Sequence, residues 1–144
     1  MPEHGGWDFR LYPCLVIEGT ELEVMYKRGE YVPLELEDAA QTAGAILLAA
    51  ERHGFNVIRV GLLESESLKK SVIAGPYHPA FGELAISEKL ALSLFDSSPR
   101  GPWSIPRRKI SQLTGHGARG IRRLSDLTGL TPEEIRPRLL FAAV

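Results

Sequence analysis

Between Leu36 and Ala50 the apolar residues fall at Leu36, Ala39, Ala40, Ala43, Ile46, Leu47 and Ala50, a spacing that an α-helix gathers onto one face. Gly54 follows where a left-handed C-cap belongs. Short apolar, β-branched runs flank this helix: Leu11 to Glu18 before it, with Pro13 admissible only near the beginning, and Asn56 to Leu62 after it. Two strands joined through a long helix predict a right-handed parallel β-α-β unit. Thr20-Glu21-Leu22-Glu23 has the form of a capping box, so a short helix is expected after the first strand, up to Gly29. Residues 1–62 are thus expected to be α/β.

Beyond a polar stretch from Glu64 to Lys70, the run SVIAGPYHPAFGEL predicts a short strand and then a loop, because its prolines and glycines forbid one continuous element. Helical spacing resumes from Glu83 to Phe95, and the stretch from Asp96 to Pro102, with its two serines, two prolines and one glycine, reads as a turn-rich linker. The remainder predicts a strand at Trp103 to Pro106, helices at Arg108 to Thr114 and Arg119 to Thr128 around a loop at Gly115 to Ala118, a helix start at Thr131, and a last strand from Leu139 to Val144. Charge switches at the linker. Residues 1–96 carry 15 acidic and 8 basic side chains (−7), whereas 97–144 carry 3 and 9 (+6). Either the basic end meets an anionic partner or it docks on the acidic body of its own chain.

No apolar run reaches the roughly 18 residues of a membrane span, and the first ten residues lack the pattern of a secretion signal, so a cytoplasmic location is expected. One cysteine, Cys14, excludes an internal disulfide and cannot alone hold zinc or an iron–sulfur cluster. No metal site is expected in this chain. Cys14 itself, within an apolar run, reads as a small buried residue, and Trp7 and Trp103 read as packing residues.

Three stretches resemble one family. Tyr12-Pro13, Val16-Ile17-Glu18-Gly19-Thr20, Tyr26-Lys27, Gly29-Glu30-Tyr31 and Pro33 are similar to the late strand and following helix of the radical S-adenosylmethionine (radical SAM) partial barrel, as in the Elongator catalytic subunit and oxygen-independent coproporphyrinogen oxidase-like proteins. Gly54-Phe55-Asn56-Val57 resembles the entry to that barrel's last strand. Ala74-Gly75-Pro76-Tyr77-His78-Pro79-Ala80-Phe81-Gly82-Glu83-Leu84, the most specific of the three, resembles the signature of the C-terminal domain attached to these proteins. The resemblance implies S-adenosylmethionine and an iron–sulfur cluster in the complete parent protein, the cluster held by a C-x3-C-x2-C motif that this chain does not contain. It also implies a partner, the N-terminal part of the barrel.

Several residues are candidates for function. Resemblance would put Glu18, Gly19 and Thr20 near the S-adenosylmethionine adenosine, at the C-terminal end of a parallel strand; their other reading is a helix cap. His78, between Tyr77 and Pro79, could be a general acid or base with Glu83 close by in sequence, or could satisfy a buried carbonyl. Gly115-His116-Gly117-Ala118-Arg119-Gly120-Ile121-Arg122-Arg123-Leu124 resembles the helix, tight loop and helix of KH-type RNA-binding domains, with Ala118 in place of the second glycine. That makes Gly115, His116, Gly117, Arg119, Arg122 and Arg123 candidates for RNA contact, because such a loop offers backbone amides to phosphates. The same arginines could instead neutralise the acidic body.

The expected architecture is therefore α/β: residues 1–62 as the last strand-helix-strand of a radical SAM barrel, and 63–144 as an α+β accessory domain with a basic KH-like tip. The expected function is an accessory, substrate-binding region of a radical SAM enzyme, acting on RNA and not catalytic in isolation. The alternative is a stand-alone nucleic-acid-binding or protein-interaction domain without catalytic duty. Exposed strand edges on a lone β-α-β unit also predict a homodimer.

Overall fold

The spacing that begins at Leu36 forms a 17-residue helix, Leu36–Arg52 (α2), in the computed structural model, which describes residues 7–62 and 64–142. Gly54 takes the left-handed conformation beyond its end (φ 74°). α2 follows strands β1 (Asp8–Leu11) and β2 (Val16–Ile17) and the short helix α1 (Glu21–Lys27). After it come β3 (Asn56–Val60), α3 (Glu66–Ser71), β4 (Val72–Ala74) and a second 17-residue helix, α4 (Phe81–Ser97). The chain continues through β5 (Trp103–Pro106), a 3₁₀ turn (Arg107–Lys109), α5 (Ile110–Thr128), α6 (Pro132–Ile135), a second 3₁₀ turn (Arg136–Arg138) and β6 (Leu139–Ala142). The last two residues of the expected terminal strand lie outside the described residues.

The strands make three two-stranded sheets: β1 with β3 in parallel, β2 with β4 antiparallel, and β5 with β6 in parallel. The parallel pair around α2 is present, but its first strand is Asp8–Leu11 and not Leu11 to Glu18. Pro13 has no N–H for a ladder, so the chain leaves β3 after Leu11 and only Val16 and Ile17 pair again, with β4. This change of path also corrects Cys14, which is exposed rather than buried. Trp7, just before β1, is likewise exposed (66%), whereas Trp103 is packed at 1% exposure with its indole N–H donating to the Ser98 carbonyl at 2.7 Å.

α4 is the central beam. Its first half packs on α2 in a cluster that includes Ala39, Ala43, Leu47, Phe81 and Ala85. Its second half enters a larger cluster with Ala91, Leu94, Trp103, Leu113, Ile121 and Leu124. The core thus divides within α4, and the β2–β4 pairing and the α2–α4 contact both bridge the boundary drawn at residues 62/63. Gly44 shows how close α2 and α4 come: a Cβ there would lie 2.4 Å from the Glu88 side chain. No helix among the described residues is long and apolar enough to cross a membrane.

Candidate functional site

α5 is two helices joined by a turn. Helical geometry stops at Gly115 (φ −69°, ψ 162°), and His116, Gly117 and Ala118 then take three consecutive left-handed conformations (φ 53°, 68° and 57°) before the helix resumes at Arg119. Gly117 adopts this shape freely; for His116 and Ala118 it costs roughly 1–2 kcal/mol each. Such strain persists where the surroundings over-determine it. Here the restraints are visible: His116 Nε2 lies 3.1 Å from Glu83 Oε1, the His116 ring meets His78 edge-to-face with centroids 5.6 Å apart, and Arg122 Nη2 donates to the His116 carbonyl at 3.4 Å. The two helical halves cross in backbone contact, since a Cβ on Gly120 would sit 2.7 Å from Leu113 Cα.

The other side of this site is the PYHP loop. His78 Nδ1 accepts the Ala80 backbone N–H at 2.9 Å, which leaves Nε2 to carry the proton of the neutral ring. Tyr77 donates its hydroxyl to the Glu64 carboxylate, and that bond pushes the phenol pKa up to about 12. Glu83 stands in the first turn of α4. His78, Glu83 and His116, assigned from sequence to two separate roles, therefore form one cluster, with exposed Arg122 beside it. When His116 is protonated its contact with Glu83 is an ion pair. The arrangement orients an imidazole by a carboxylate and presents a basic, glycine-containing turn to solvent.

Arg119 and Arg123 are placed differently. Arg119 is 3% exposed; its Nη2 donates to Glu37 Oε1 (2.7 Å) and Glu88 Oε1 (3.0 Å), and its Nε to Glu37 Oε2 (3.3 Å). Arg123 grips Glu88 with two bonds, Nε to Oε1 at 2.8 Å and Nη2 to Oε2 at 3.0 Å, and Glu88 holds its pKa above the ordinary value. Both guanidiniums thus face the acidic body of their own chain. Sequence reasoning missed Glu37 and Glu88. The signal for Glu88 was an acid on the buried stripe of α4, between Leu84 and Ala91, in a chain with surplus arginine.

Glu18, Gly19 and Thr20 lie apart from this cluster, after a strand that pairs antiparallel, not parallel. Thr20 caps α1 by accepting the Glu23 N–H (3.3 Å), and Glu23 Oε1 accepts the Gly19 N–H (2.9 Å), one residue short of the expected reciprocal box. The residues do not fit an iron–sulfur cluster: the chain has one cysteine, and no group of three or more metal-ligating side chains stands together among the described residues.

Comparison with known proteins adds three findings. The model of the Radical_SAM C-terminal domain matches residues 7–91. The tRNA uridine(34) acetyltransferase of Methanocaldococcus jannaschii is 62% identical over 32 residues, and that of Methanocaldococcus infernus 59% over 32; each match covers 22% of this chain and 6% of the relative. No solved structure matches.

Proposed function

The chain belongs to the Radical_SAM C-terminal domain family, and from that premise we propose that it is the accessory, substrate-binding portion of a radical SAM enzyme that acts on RNA. The observation that carries this reading is the left-handed turn at His116–Ala118, strained at two non-glycine residues and braced by Glu83 and His78 of the family's own matched segment. A helix start behind such a turn offers free N–H groups to an anion. The names of the two relatives, tRNA-modifying enzymes, support RNA as the substrate class. Family membership implies S-adenosylmethionine and an iron–sulfur cluster in a complete enzyme; the residues of this chain bind and orient, and the partner that completes the site is the N-terminal part of the barrel. The open edges of β1 and β3 also support a homodimer, for which light scattering of the purified chain should return twice the monomer mass.

The RNA-contacting set is Gly115, His116, Gly117 and Arg122, with His78 and Glu83 positioning the turn. Titration of a fluorescent single-stranded RNA dodecamer tests this. With about four phosphates contacted, affinity should fall with salt at a log-log slope of roughly −3, at about −0.7 per phosphate. Replacing Gly117 and Ala118 by aspartates should abolish binding. Arg122→Ala should weaken it modestly and reduce the slope by less than about one unit. Undiminished binding by the double aspartate variant sinks the reading.

A further inference from the structure

We infer that Phe141, with the Arg107 guanidinium over its ring, is a stacking platform for a nucleobase of single-stranded RNA; this rests on the RNA reading above and names a second contact for the same ligand. Arg107 Cζ lies 5.1 Å from the Phe141 ring centroid, and Phe141 remains 46% exposed. Strand alternation puts Phe141 on the same face of β6 as Leu139, which is 8% exposed, and its partner Ile105 is 1% exposed. The core took those residues and left the aromatic ring at the strand end half open.

Isolated exposed apolar residues are common. What distinguishes this one is its charge setting. Arg119 and Arg123 spend their charge inside the fold, whereas among the described residues no ion pair involves Arg107, Arg108 or Lys109. The register Pro106↔Ala142 sets these three cations directly beyond the strand end that carries Phe141. A base can stack on a guanidinium plane or an aromatic face whatever its identity, and the cations then hold its phosphates.

The test uses the full chain and two fluorescent probes, a uridine dodecamer and an abasic dodecamer with the same backbone. Phe141→Leu keeps an apolar side chain but removes the π face. It should weaken binding of the uridine probe about tenfold and leave the abasic probe unchanged, and Phe141→Trp should restore the difference. Equal loss on both probes, or loss on neither, overturns the platform. If wild type still binds and the Gly117→Asp, Ala118→Asp variant does not, the turn reading survives that result. Failure of the wild type to bind the uridine probe at low salt overturns both.

Discussion

Glu88 is 1% exposed and carries the charge network of the molecule, held by Arg123 through both oxygens and by Arg119 through one. A buried carboxylate persists only when paired, and removing one partner of such a network costs about 3–5 kcal/mol. Glu88→Gln should therefore lower unfolding stability in urea by about 3 kcal/mol, since Arg119 would then be left with the exposed Glu37 and Arg123 with the exposed Asp126 at 3.6 Å. Gly44→Ala should cost about 1–3 kcal/mol by overpacking against the same side chain, read as a lower melting temperature. Tyr77 makes a different prediction. Its raised pKa means that the neutral phenol is the form favoured by the fold, so its contribution is complete below the unfolded value of about 10 and is lost as pH rises through about 12. Absorbance titration of the four tyrosines should show one ionising near 12, and Glu64→Gln should return it to the ordinary phenol range.

At the scale of elements, the helix-turn-helix of α5 shows how much a local pattern can reveal. The loop at Gly115–Ala118 was legible because two glycines interrupt a helical apolar pattern. Its handedness was not, since histidine and alanine seldom adopt positive φ and nothing local requires it. Glu83 and His78, more than 30 positions away in sequence, supply the requirement. Gly120→Ala should push the two halves apart at Leu113, lowering stability by about 1–3 kcal/mol in thermal melts and weakening RNA binding with it, because the turn rests on that crossing. The first strand was misread for a related reason. Its apolar run was evident, but Pro13 divides it between two partners, and pairing is a long-range choice.

Across the whole molecule, the charge of −7 before the linker and +6 after it was plain in the sequence, and Arg119 and Arg123 realise its intramolecular reading. Arg119 and Arg123 join the halves through Glu88, whose burial limits screening, and Arg119 also reaches the exposed Glu37. The exposed cations remain sensitive to salt. Raising salt from 50 to 500 mM should thus leave the melting temperature within about 2 °C, while RNA affinity falls by roughly a thousandfold along a slope near −3; a parallel drop in melting temperature would mean that surface charge holds the halves together. Periodicity, turn residues and motif composition, all local properties, determined the α/β class, the two long helices, the capped helix start at Thr131 and the family resemblance. Only the tertiary structure decided which arginines face the protein and which face solvent, that Cys14 is exposed, and that His78, Glu83 and His116 meet. Each of these depends on which side of an element packs against another, and that is set by contacts between residues tens of positions apart, at distances no local spacing encodes.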